Sequence, residues 1–439
     1  MHTFMKNTPI NKEAVDKNLE ACGITDMTYA SIRDVVRVVN MIQEDTNDKF
    51  VRMEMGVPGL KPSRIGVEAE IEALNNNVCS DYPMLEGIKP LKAEASRFVK
   101  SFMNVDIKAE GCFPTVGSMQ GGYAAFMACT AYDKQKDTVL FIDPGFPVQK
   151  TQCEIMGRKY ASFDIYEYRG EKLREKLEEF VSKGNIGCIV YSNPNNPAWI
   201  CLTESELQII GEIANKYDII VLEDLAYFAM DFRKDLSEPN KAPFQATVAK
   251  YTENYILMIS SSKVFSYAGQ RIGLLCVSDK LFHRKYQGLK DAFGGEELGY
   301  ALVYRLLYTL SSGTSHSAQY ALTAMLKAAS DGDYKFLEEV KEYKERANIM
   351  KQYFTENGFD IVYDTDMGEP IADGFYFTIT YPGFSSAELN KELLYYGISA
   401  ISLSETGSQR EGLRACVSQI SREQFPVLKE RLESFKRDH

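Results

Sequence analysis

The sequence SSSKVFSYAGQRIG, residues 260–273, sets one lysine among serines and places an arginine eight positions after that lysine. It comes directly after the apolar run YILMI, residues 255–259, which is typical of a buried strand. Burying a charged side chain is costly, so a lysine at such a point needs a reason. The stretch therefore predicts that Lys263 stands just beyond the end of a buried strand, with Arg271 available to bind a negative charge nearby.

Segments with strand and helix periodicity alternate around this stretch, from about residue 115 onward. Short apolar runs such as TVLFI and IGCIVY predict strands, and amphipathic runs such as EKLREKLEEFVSK predict helices. Regular alternation indicates an α/β fold, in which a mostly parallel sheet is flanked by helices. Long helices and shorter strands beyond residue 315 predict a smaller α+β domain. We expect residues 50–315 to form a large domain, and residues 1–49 and 316–439 a small one.

Chemically useful side chains follow four of the predicted strands. Open parallel sheets bind ligands beyond the carboxyl ends of their strands, so these positions matter most. Phe146 follows the strand VLFI, and Asn196 follows CIVY. Asp224 and Tyr227 follow IIVLE, as Lys263 follows YILMI. A ring, an amide, a carboxylate, a phenol and an amine are thereby predicted to lie along one edge of the sheet.

These side chains suit pyridoxal phosphate. A partly buried lysine forms Schiff bases with carbonyls, and a nearby cation such as Arg271 favours its free amine. A carboxylate, here Asp224, would keep the pyridine nitrogen protonated, which makes the ring an electron sink. Asn196 and Tyr227 offer hydrogen bonds to the phenolic oxygen. Phe146 offers a flat apolar partner for the ring.

A phosphate site is predicted at VGSMQGG, residues 116–122, which opens a helix with Gly117, Ser118 and Met119. Backbone amides at a helix start bind phosphate well. Ser260 and Arg271 would complete the site, because the fork of an arginine binds two phosphate oxygens at once.

The sequence resembles the class I and II aminotransferases, which are fold-type-I pyridoxal-phosphate enzymes. SSSKVFSYAGQRIG is similar to that family's S-x-S-K-x-x-x-x-x-G-x-R-x-G signature, NPNNP to its N-P-x-N-P-T-G turn, and DLAY to its D-x-x-Y. DYPMLEGIKPLKAEASRF and EGLRACVS resemble two further family segments. The five matches occur in family order from about residue 50 to residue 418.

The resemblance implies a seven-stranded sheet and a role for each matching residue. Lys263 would hold the cofactor as an internal aldimine and move a proton, with Asp224 and Tyr227 as further catalytic groups. Arg414 would bind the substrate α-carboxylate, helped by Gly56 and Asn196. The implied cofactor-binding set is Gly117, Ser118, Met119, Phe146, Asn196, Asp224, Tyr227, Ser260, Lys263 and Arg271, with Tyr82 of the partner subunit in a homodimer.

One departure from the family pattern falls beside Asn196. The family's T-G after the second N-P is Ala198-Trp199 here, so the only tryptophan of the chain replaces a turn glycine. We expect this change to alter the wall of the substrate pocket.

Composition argues against several other classes of protein. A net charge of -11 and a pI of about 5.2 disfavour nucleic acid as the partner. The nine cysteines show no C-x-x-C spacing and there are only four histidines, so no metal site is expected. No apolar run approaches the roughly 18 residues of a membrane span, and the N-terminus lacks the apolar core of a signal peptide. A reducing, cytoplasmic location is predicted.

Two alternatives stay open beside amino transfer between an amino acid and a 2-oxo acid. A carbon–sulfur β-lyase of the same fold would use the same Lys263 and Arg414. A non-catalytic effector-binding domain is the alternative from another class. The sequence does not name the amino donor.

Overall fold

The computed structural model describes residues 8–439, in which helices and strands alternate as the sequence predicts. The helices are α1 (Lys12–Ala21), α2 (Ile32–Thr46), α3 (Arg64–Asn75), α4 (Lys89–Met103), α5 (Gly117–Cys129), α6 (Pro147–Ile155), α7 (Glu171–Val181), α8 (Glu204–Tyr217), α9 (Asp279–Phe282), α10 (Gln287–Phe293), α11 (Leu298–Tyr300), α12 (Tyr308–Ser311), α13 (His316–Asp331), α14 (Phe336–Val340), α15 (Glu342–Glu356), α16 (Ser386–Tyr395) and α17 (Phe425–Asp438). A π-helical segment, Ala301–Leu307, joins α11 to α12. No helix among residues 8–439 is both long and apolar enough to cross a membrane.

The strands vary from two to seven residues in length. They are β1 (Val51–Arg52), β2 (Cys112–Val116), β3 (Thr138–Asp143), β4 (Lys159–Asp164), β5 (Ile186–Ser192), β6 (Ile220–Leu225), β7 (Tyr255–Ser260), β8 (Ile272–Val277), β9 (Asp360–Ile361), β10 (Thr365–Asp366), β11 (Glu369–Pro370), β12 (Tyr376–Thr380), β13 (Ile398–Ser399), β14 (Ile401–Ser402) and β15 (Leu413–Cys416).

The predicted mostly parallel sheet is confirmed, and it has seven strands in the order β2-β8-β7-β6-β5-β3-β4. Strand β8 pairs antiparallel with both β2 and β7, and the other neighbouring strands of this sheet pair parallel. Strands β3, β6, β7 and β8 are buried along their whole length, as expected where helices cover both faces. The sequence analysis missed β2, whose residues CFPTV contain Pro114. A proline is tolerated there because β2 is an edge strand, where a missing N–H need not break the ladder.

Contacts divide the chain into two compact units. The first unit comprises the described residues up to Gly59, Asn196–Ile200 and Lys341–His439. The second comprises Leu60–Asn195 and Cys201–Val340, and it holds the seven-stranded sheet. These boundaries differ from the predicted ones, because α13 belongs to the second unit.

Helix α13 belongs there because its buried polar side chains bond to that unit. Gln319 Oε1 accepts a hydrogen bond from the backbone N–H of Ile88 at 2.9 Å. Ser317 Oγ donates to Glu70 Oε1 at 2.9 Å. Buried polar groups are satisfied by the element they pack against, so α13 is tied to α3 and to the start of α4.

The first unit is built on a four-stranded antiparallel sheet in the order β14-β15-β12-β9. A separate parallel pair joins β1 to β13. The sequence DYKFLEEVKEYKERANIMKQYFTENGF, residues 333–359, predicts one long helix that ends at Gly358. The structure has two helices there, α14 and α15, which are separated at Lys341 and belong to different units. The predicted strand ISAISL is likewise divided into β13 and β14, which pair with different partners.

Helix α8 begins with the capping box that its sequence predicts. Thr203 Oγ1 accepts from the N–H of Glu206 at 3.2 Å, and Glu206 Oε2 accepts from the N–H of Thr203 at 2.9 Å. These bonds satisfy two of the N–H groups that a helix start leaves unpaired.

Thr203→Ala should lower the free energy of unfolding by about 1 kcal/mol, since it removes the hydroxyl acceptor at the helix start. Urea denaturation followed by circular dichroism measures the change. Thr203→Ser keeps the hydroxyl and is the matched control, expected within a few tenths of a kcal/mol of the unmodified chain. Equal losses in the two variants would show that the methyl group, and not the cap, carries the effect.

Candidate functional site

The serines before Lys263 tie down the loop that leaves β7. Ser260 Oγ accepts a hydrogen bond from the N–H of Ser262 at 3.1 Å. Ser261 Oγ donates to the carbonyl of Ile272, on the neighbouring strand β8, at 2.6 Å. Both serines are buried, whereas Lys263 is half-buried three residues past the strand end. The serines therefore anchor a short loop that carries the lysine out of the sheet, which explains why a buried strand is followed by these residues.

Gly117, Ser118 and Arg271 come together at the start of α5, as the sequence predicts. Gly117 has a left-handed φ of 64°, and a Cβ added to it would overlap Nη2 of Arg271. The guanidinium therefore lies against the backbone of the first helical residue, where only glycine leaves it room. Ser118 Oγ is buried and has no hydrogen-bond partner among the described residues. A buried hydroxyl without a partner is uncommon, so it indicates a ligand atom at this place.

This phosphate cradle, defined by Gly117, Ser118 and Arg271, fits the phosphate of pyridoxal phosphate. The N-terminus of a thirteen-residue helix supplies backbone N–H groups and a favourable dipole. Arg271 keeps its direction through Nη1, which donates to the carbonyl of Ala268 at 2.7 Å. Ser260 ends β7 opposite Gly273, and Gly273 approaches the backbone of Gly117. The donor set at the cradle is thus cationic and rich in N–H and O–H groups, which matches a dianion.

Asp224 is buried near the end of β6, where burial raises the pKa of its carboxyl from 3.8 to about 6. Two donors oppose that shift. Its Oδ1 accepts from the N–H of Ala226 at 3.0 Å, and its Oδ2 accepts from Nε2 of Gln149 at 2.8 Å. A buried carboxylate held by two neutral donors and no described cation is suited to pairing with a cationic ligand atom such as a pyridinium N–H.

Gln149 is a site residue that sequence reasoning missed. It is buried in the first turn of α6, the helix that follows β3. The signal in the sequence was a polar residue in the first turn of the helix that follows β3, three residues after Phe146. Phe146 itself is the half-buried residue before α6, and its carbonyl accepts from the N–H of Gln149 at 3.2 Å.

The remaining predicted cofactor residues are placed as follows. Tyr227 is buried just after β6, and Asn196 is buried in the segment grouped with the first unit. Asn195, beside it, donates from Nδ2 to the carbonyl of Pro144 at 2.8 Å, which ties the loop after β5 to the loop after β3. Met119 is partly exposed on α5, whereas Tyr82 is 87% exposed on the second unit.

Arg414 lies in the first unit on β15, and its long side chain is buried. Its Nη2 donates to the carbonyl of Glu54 at 2.7 Å. Its guanidinium carbon lies 4.7 Å from the ring centroid of Tyr376. Its Nε has no hydrogen-bond partner, and its charge forms no ion pair, among residues 8–439. A buried cation in this state is prepared to receive an anion. Gly56 belongs to the same unit, and a Cβ added to it would overlap the hydroxyl of Tyr376.

No group of three or more histidine, cysteine, aspartate or glutamate side chains within residues 8–439 is arranged to hold a metal ion. The groups gathered at the strand ends of the second unit are instead an amine, one guanidinium group, hydroxyls and the Asp224 carboxylate. Organic cofactor chemistry is the use that this set of groups favours.

Comparison with known proteins shows the family of the chain. The sequence model of the family described as aminotransferase class I and II matches residues 50–432. The chain is 26% identical over 305 residues to a probable aspartate aminotransferase of Methanocaldococcus jannaschii, covering 68% of this chain and 72% of that protein. It is 24% identical over 331 residues to the glutamate-pyruvate aminotransferase AlaC of Escherichia coli, covering 74% of this chain and 72% of AlaC. The resemblance predicted from sequence motifs is confirmed.

A solved structure of an alanine aminotransferase from Pyrococcus furiosus shows the same fold. It superimposes with a TM-score of 0.76 over 95% of this chain and 99% of its own, at 20% identity. The predicted fold type I is therefore confirmed.

The raised pKa of Asp224 predicts a pH-dependent stability for the cofactor-free protein. Because the folded pKa of about 6 exceeds the ordinary 3.8, folding favours the protonated carboxyl. Its stabilising contribution is complete below about pH 4 and is lost as the pH rises to about 6, a change of roughly 3 kcal/mol. Asp224→Asn should therefore raise the free energy of unfolding at pH 7.5 relative to the unmodified chain, and raise it little or not at all near pH 4.

Asp231→Asn is the matched control for that measurement by urea denaturation. Asp231 is also buried, but it forms an ion pair with Arg233 at 2.8 Å, so its substitution should destabilise the protein at pH 7.5. If both substitutions lower the free energy of unfolding at pH 7.5 to a similar extent, the interpretation of Asp224 as a buried carboxylate stabilised only by neutral donors is contradicted.

Proposed function

Because this chain belongs to the class I and II aminotransferases, which are pyridoxal-phosphate-dependent enzymes, we propose that it moves an amino group from an amino acid to a 2-oxo acid at Lys263. The observation that carries the proposal is the phosphate cradle of Gly117, Ser118 and Arg271, together with the buried Asp224 at the end of β6. The cradle suits the phosphate and Asp224 suits the ring nitrogen. Lys263 follows β7, the strand that neighbours β6.

When bound, the cofactor supplies an electron-accepting pyridinium ring. Asp224 would hold the proton on the ring nitrogen, and Gln149 would keep the Asp224 carboxylate oriented for that bond. Tyr227 and Asn196 would donate to the phenolic oxygen, and Phe146 would pack on the ring face. Ser260 and Met119 would complete the phosphate end with the cradle.

The Lys263 amine would hold the cofactor at its aldehyde carbon until the amine of a substrate displaces it, and the freed amine would then carry a proton from the substrate Cα. Arg414 would bind the substrate α-carboxylate through its unpaired Nε and an adjacent N–H, and Gly56 and Asn196 would complete the substrate site.

Amino transfer is favoured over the β-lyase alternative by the two relatives named above, which are both named as aminotransferases. Both activities would use the same lysine. No described residue identifies the amino donor, so a panel of amino acids is the appropriate substrate screen. A non-catalytic effector-binding role is disfavoured, because the family is one of enzymes.

We also propose a homodimer in which Tyr82 of one chain completes the phosphate cradle of the other. Several large apolar side chains are exposed on the second unit and would be covered in a dimer, among them Tyr82, Met84, Tyr300, Tyr304, Tyr308 and Leu310. Part of this surface adjoins the cradle helix, because Gln120 Nε2 on α5 donates to Ser311 Oγ, the last residue of α12, at 2.7 Å. A second copy seated there would bring its own residues near the cradle.

The chemistry and the cysteines favour a cytoplasmic enzyme of amino acid metabolism, with a biosynthetic role. All nine cysteines are free thiols, and six of them are buried. Thiols of this number persist in a reducing compartment.

Lys263→Ala should abolish amino transfer while leaving cofactor binding through the phosphate cradle. The unmodified protein should be yellow, and borohydride should fix the colour covalently to the peptide that contains Lys263. Activity is measured with a panel of amino acid donors and 2-oxoglutarate as the acceptor, and the reaction is monitored by the change in absorbance of the cofactor. Pyruvate or ammonia release from cystathionine without amino transfer would support the lyase instead, and label on a different lysine would refute the site.

Mixing Tyr82→Ala and Lys263→Ala proteins, each nearly inactive, should restore about a quarter of the unmodified activity if the site is shared. Random exchange makes about half of the dimers hybrid, and one of the two sites in each hybrid carries neither change. Mixing Asp224→Ala with Lys263→Ala is the matched control, because both residues lie in the same chain's site and no intact site can form. No recovery in the Tyr82 mixture would place Tyr82 in the site of its own chain or outside it.

A further inference from the structure

The guanidinium of Arg414 is braced by an aromatic side chain on the neighbouring strand. Strands β12 and β15 pair antiparallel, with Thr378 directly opposite Arg414. Side chains two residues apart share a face of a strand, so Tyr376 is the diagonal neighbour of Arg414 on that face. The distance of 4.7 Å between the ring centroid and the guanidinium carbon lies within the range of a cation–π interaction.

Trp199 supports the ring of Tyr376 in turn. Their ring centroids are 6.0 Å apart at an interplanar angle of 67°, which is an edge-to-face packing. Trp199 has a left-handed φ of 58°, a conformation that favours glycine, and its side chain is fully buried. A Cβ added to Gly374 would lie 2.5 Å from the indole, so the indole packs directly on that backbone. Residue 199 therefore combines a strained backbone with a large aromatic ring, whereas a glycine at this position would have neither the strain nor the ring.

The contacts around Arg414 leave one edge of its guanidinium available. The Tyr376 ring lies beside the guanidinium, and the carbonyl of Glu54 takes one N–H of Nη2. Nε is buried without a hydrogen-bond partner among the described residues. An arginine side chain has several rotatable bonds, and ordering them costs conformational entropy. Holding the guanidinium plane in place before a ligand binds reduces the entropy lost on binding.

We propose that Tyr376 and Trp199 form an aromatic brace that fixes the plane of Arg414 for one carboxylate ligand. Tyr376 is a positioning residue, because it contacts Arg414 and not the reacting atoms. Trp199 packs edge-to-face with Tyr376, and Gly374 leaves room for the indole because it has no side chain. The identity of the ligand as the substrate α-carboxylate rests on the proposed function, whereas the brace rests on these contacts alone.

Removing the ring should weaken carboxylate binding and leave the chemical step almost unchanged. Tyr376→Leu should raise KM for the best amino donor about three- to thirtyfold, in line with a buried cation–π contact, and change kcat less than about twofold. Tyr376→Phe keeps the ring and loses only the hydroxyl, so it should stay within about threefold of the unmodified KM. Equal effects of the two substitutions, or a loss confined to kcat, would overturn the brace.

Binding can also be followed without turnover, because Trp199 is the only tryptophan in the chain. Propionate, an unreactive carboxylate, is titrated into the holoenzyme while tryptophan emission is recorded. The Kd for propionate should rise about three- to thirtyfold in Tyr376→Leu and change little in Tyr376→Phe. An unchanged Kd in Tyr376→Leu would overturn the proposal.

Gly374→Ala tests the same brace with Tyr376 and Arg414 both intact, should Tyr376→Leu fail to fold. The added methyl group must displace the indole, so emission should shift to longer wavelength and the Kd for propionate should rise. Gly368→Ala is the control for destabilisation alone in the same unit, because its φ of 85° strains an alanine while a Cβ there meets nothing within 4 Å. It should leave tryptophan emission and the Kd for propionate unchanged. A displaced indole with unchanged propionate binding would show that Trp199 does not act on Arg414.

The two proposals fail in different ways. Propionate binding that depends on Tyr376, in a protein that transfers no amino group, would refute the proposed function and leave the brace standing. Amino transfer that is indifferent to both Tyr376→Leu and Gly374→Ala would refute the brace and leave the function standing.

Discussion

A sheet buried on both faces can carry polar groups only where its strands end. Strands β3, β6, β7 and β8 are buried throughout, and most of their side chains are apolar. Lys263 and the cradle residues therefore lie just beyond strand ends, where loops and helix starts supply hydrogen bonds. Glu223 and Asp224 are exceptions, because both carboxyls lie within β6, where burial raises their pKa values to about 7 and about 6.

Incomplete compensation of buried polar groups is the second feature that runs through this chain. Ser118 Oγ and Arg414 Nε have no hydrogen-bond partner within residues 8–439, and Asp224 has only neutral donors. Such groups destabilise a protein, because they have lost their hydrogen bonds to water and gained none within the protein. Their presence therefore indicates that ligands bind at these positions. Their characters, a hydroxyl at a helix start, a carboxylate and a guanidinium, match a phosphate, a cationic ring nitrogen and a carboxylate in turn. The folded chain thereby trades stability for readiness to bind.

In the segment from Asn196 to Ile200, a tryptophan replaces the glycine of the family's N-P-x-N-P-T-G turn at a residue with a left-handed backbone. A glycine at residue 199 would adopt the left-handed backbone without strain, but a tryptophan stands there and its indole rests on Gly374. Replacing a flexible turn residue by a large ring lowers the conformational freedom of the segment. Within the first unit, the ring also extends the row of contacts that runs through Tyr376 to Arg414.

Periodicity and motif spacing were sufficient to predict the α/β fold, six of the seven strands of the main sheet, and the proximity of Arg271 to Gly117. They succeeded because a parallel sheet that is buried on both faces imposes continuous apolar runs, and because the start of α5 and the start of β8 meet at one edge of that sheet. Strand β2 was missed because its proline hides an edge strand. Gln149, Glu54 and Tyr376 were missed because their roles depend on which strands and helices become neighbours. Tyr376 and Arg414 are 38 positions apart in the chain, and only the pairing of β12 with β15 brings the ring to the guanidinium. The sequence determined which chemical groups were available at the strand ends; the tertiary structure decided which buried donors and rings surround them, because those contacts arise from strand register and packing between distant segments.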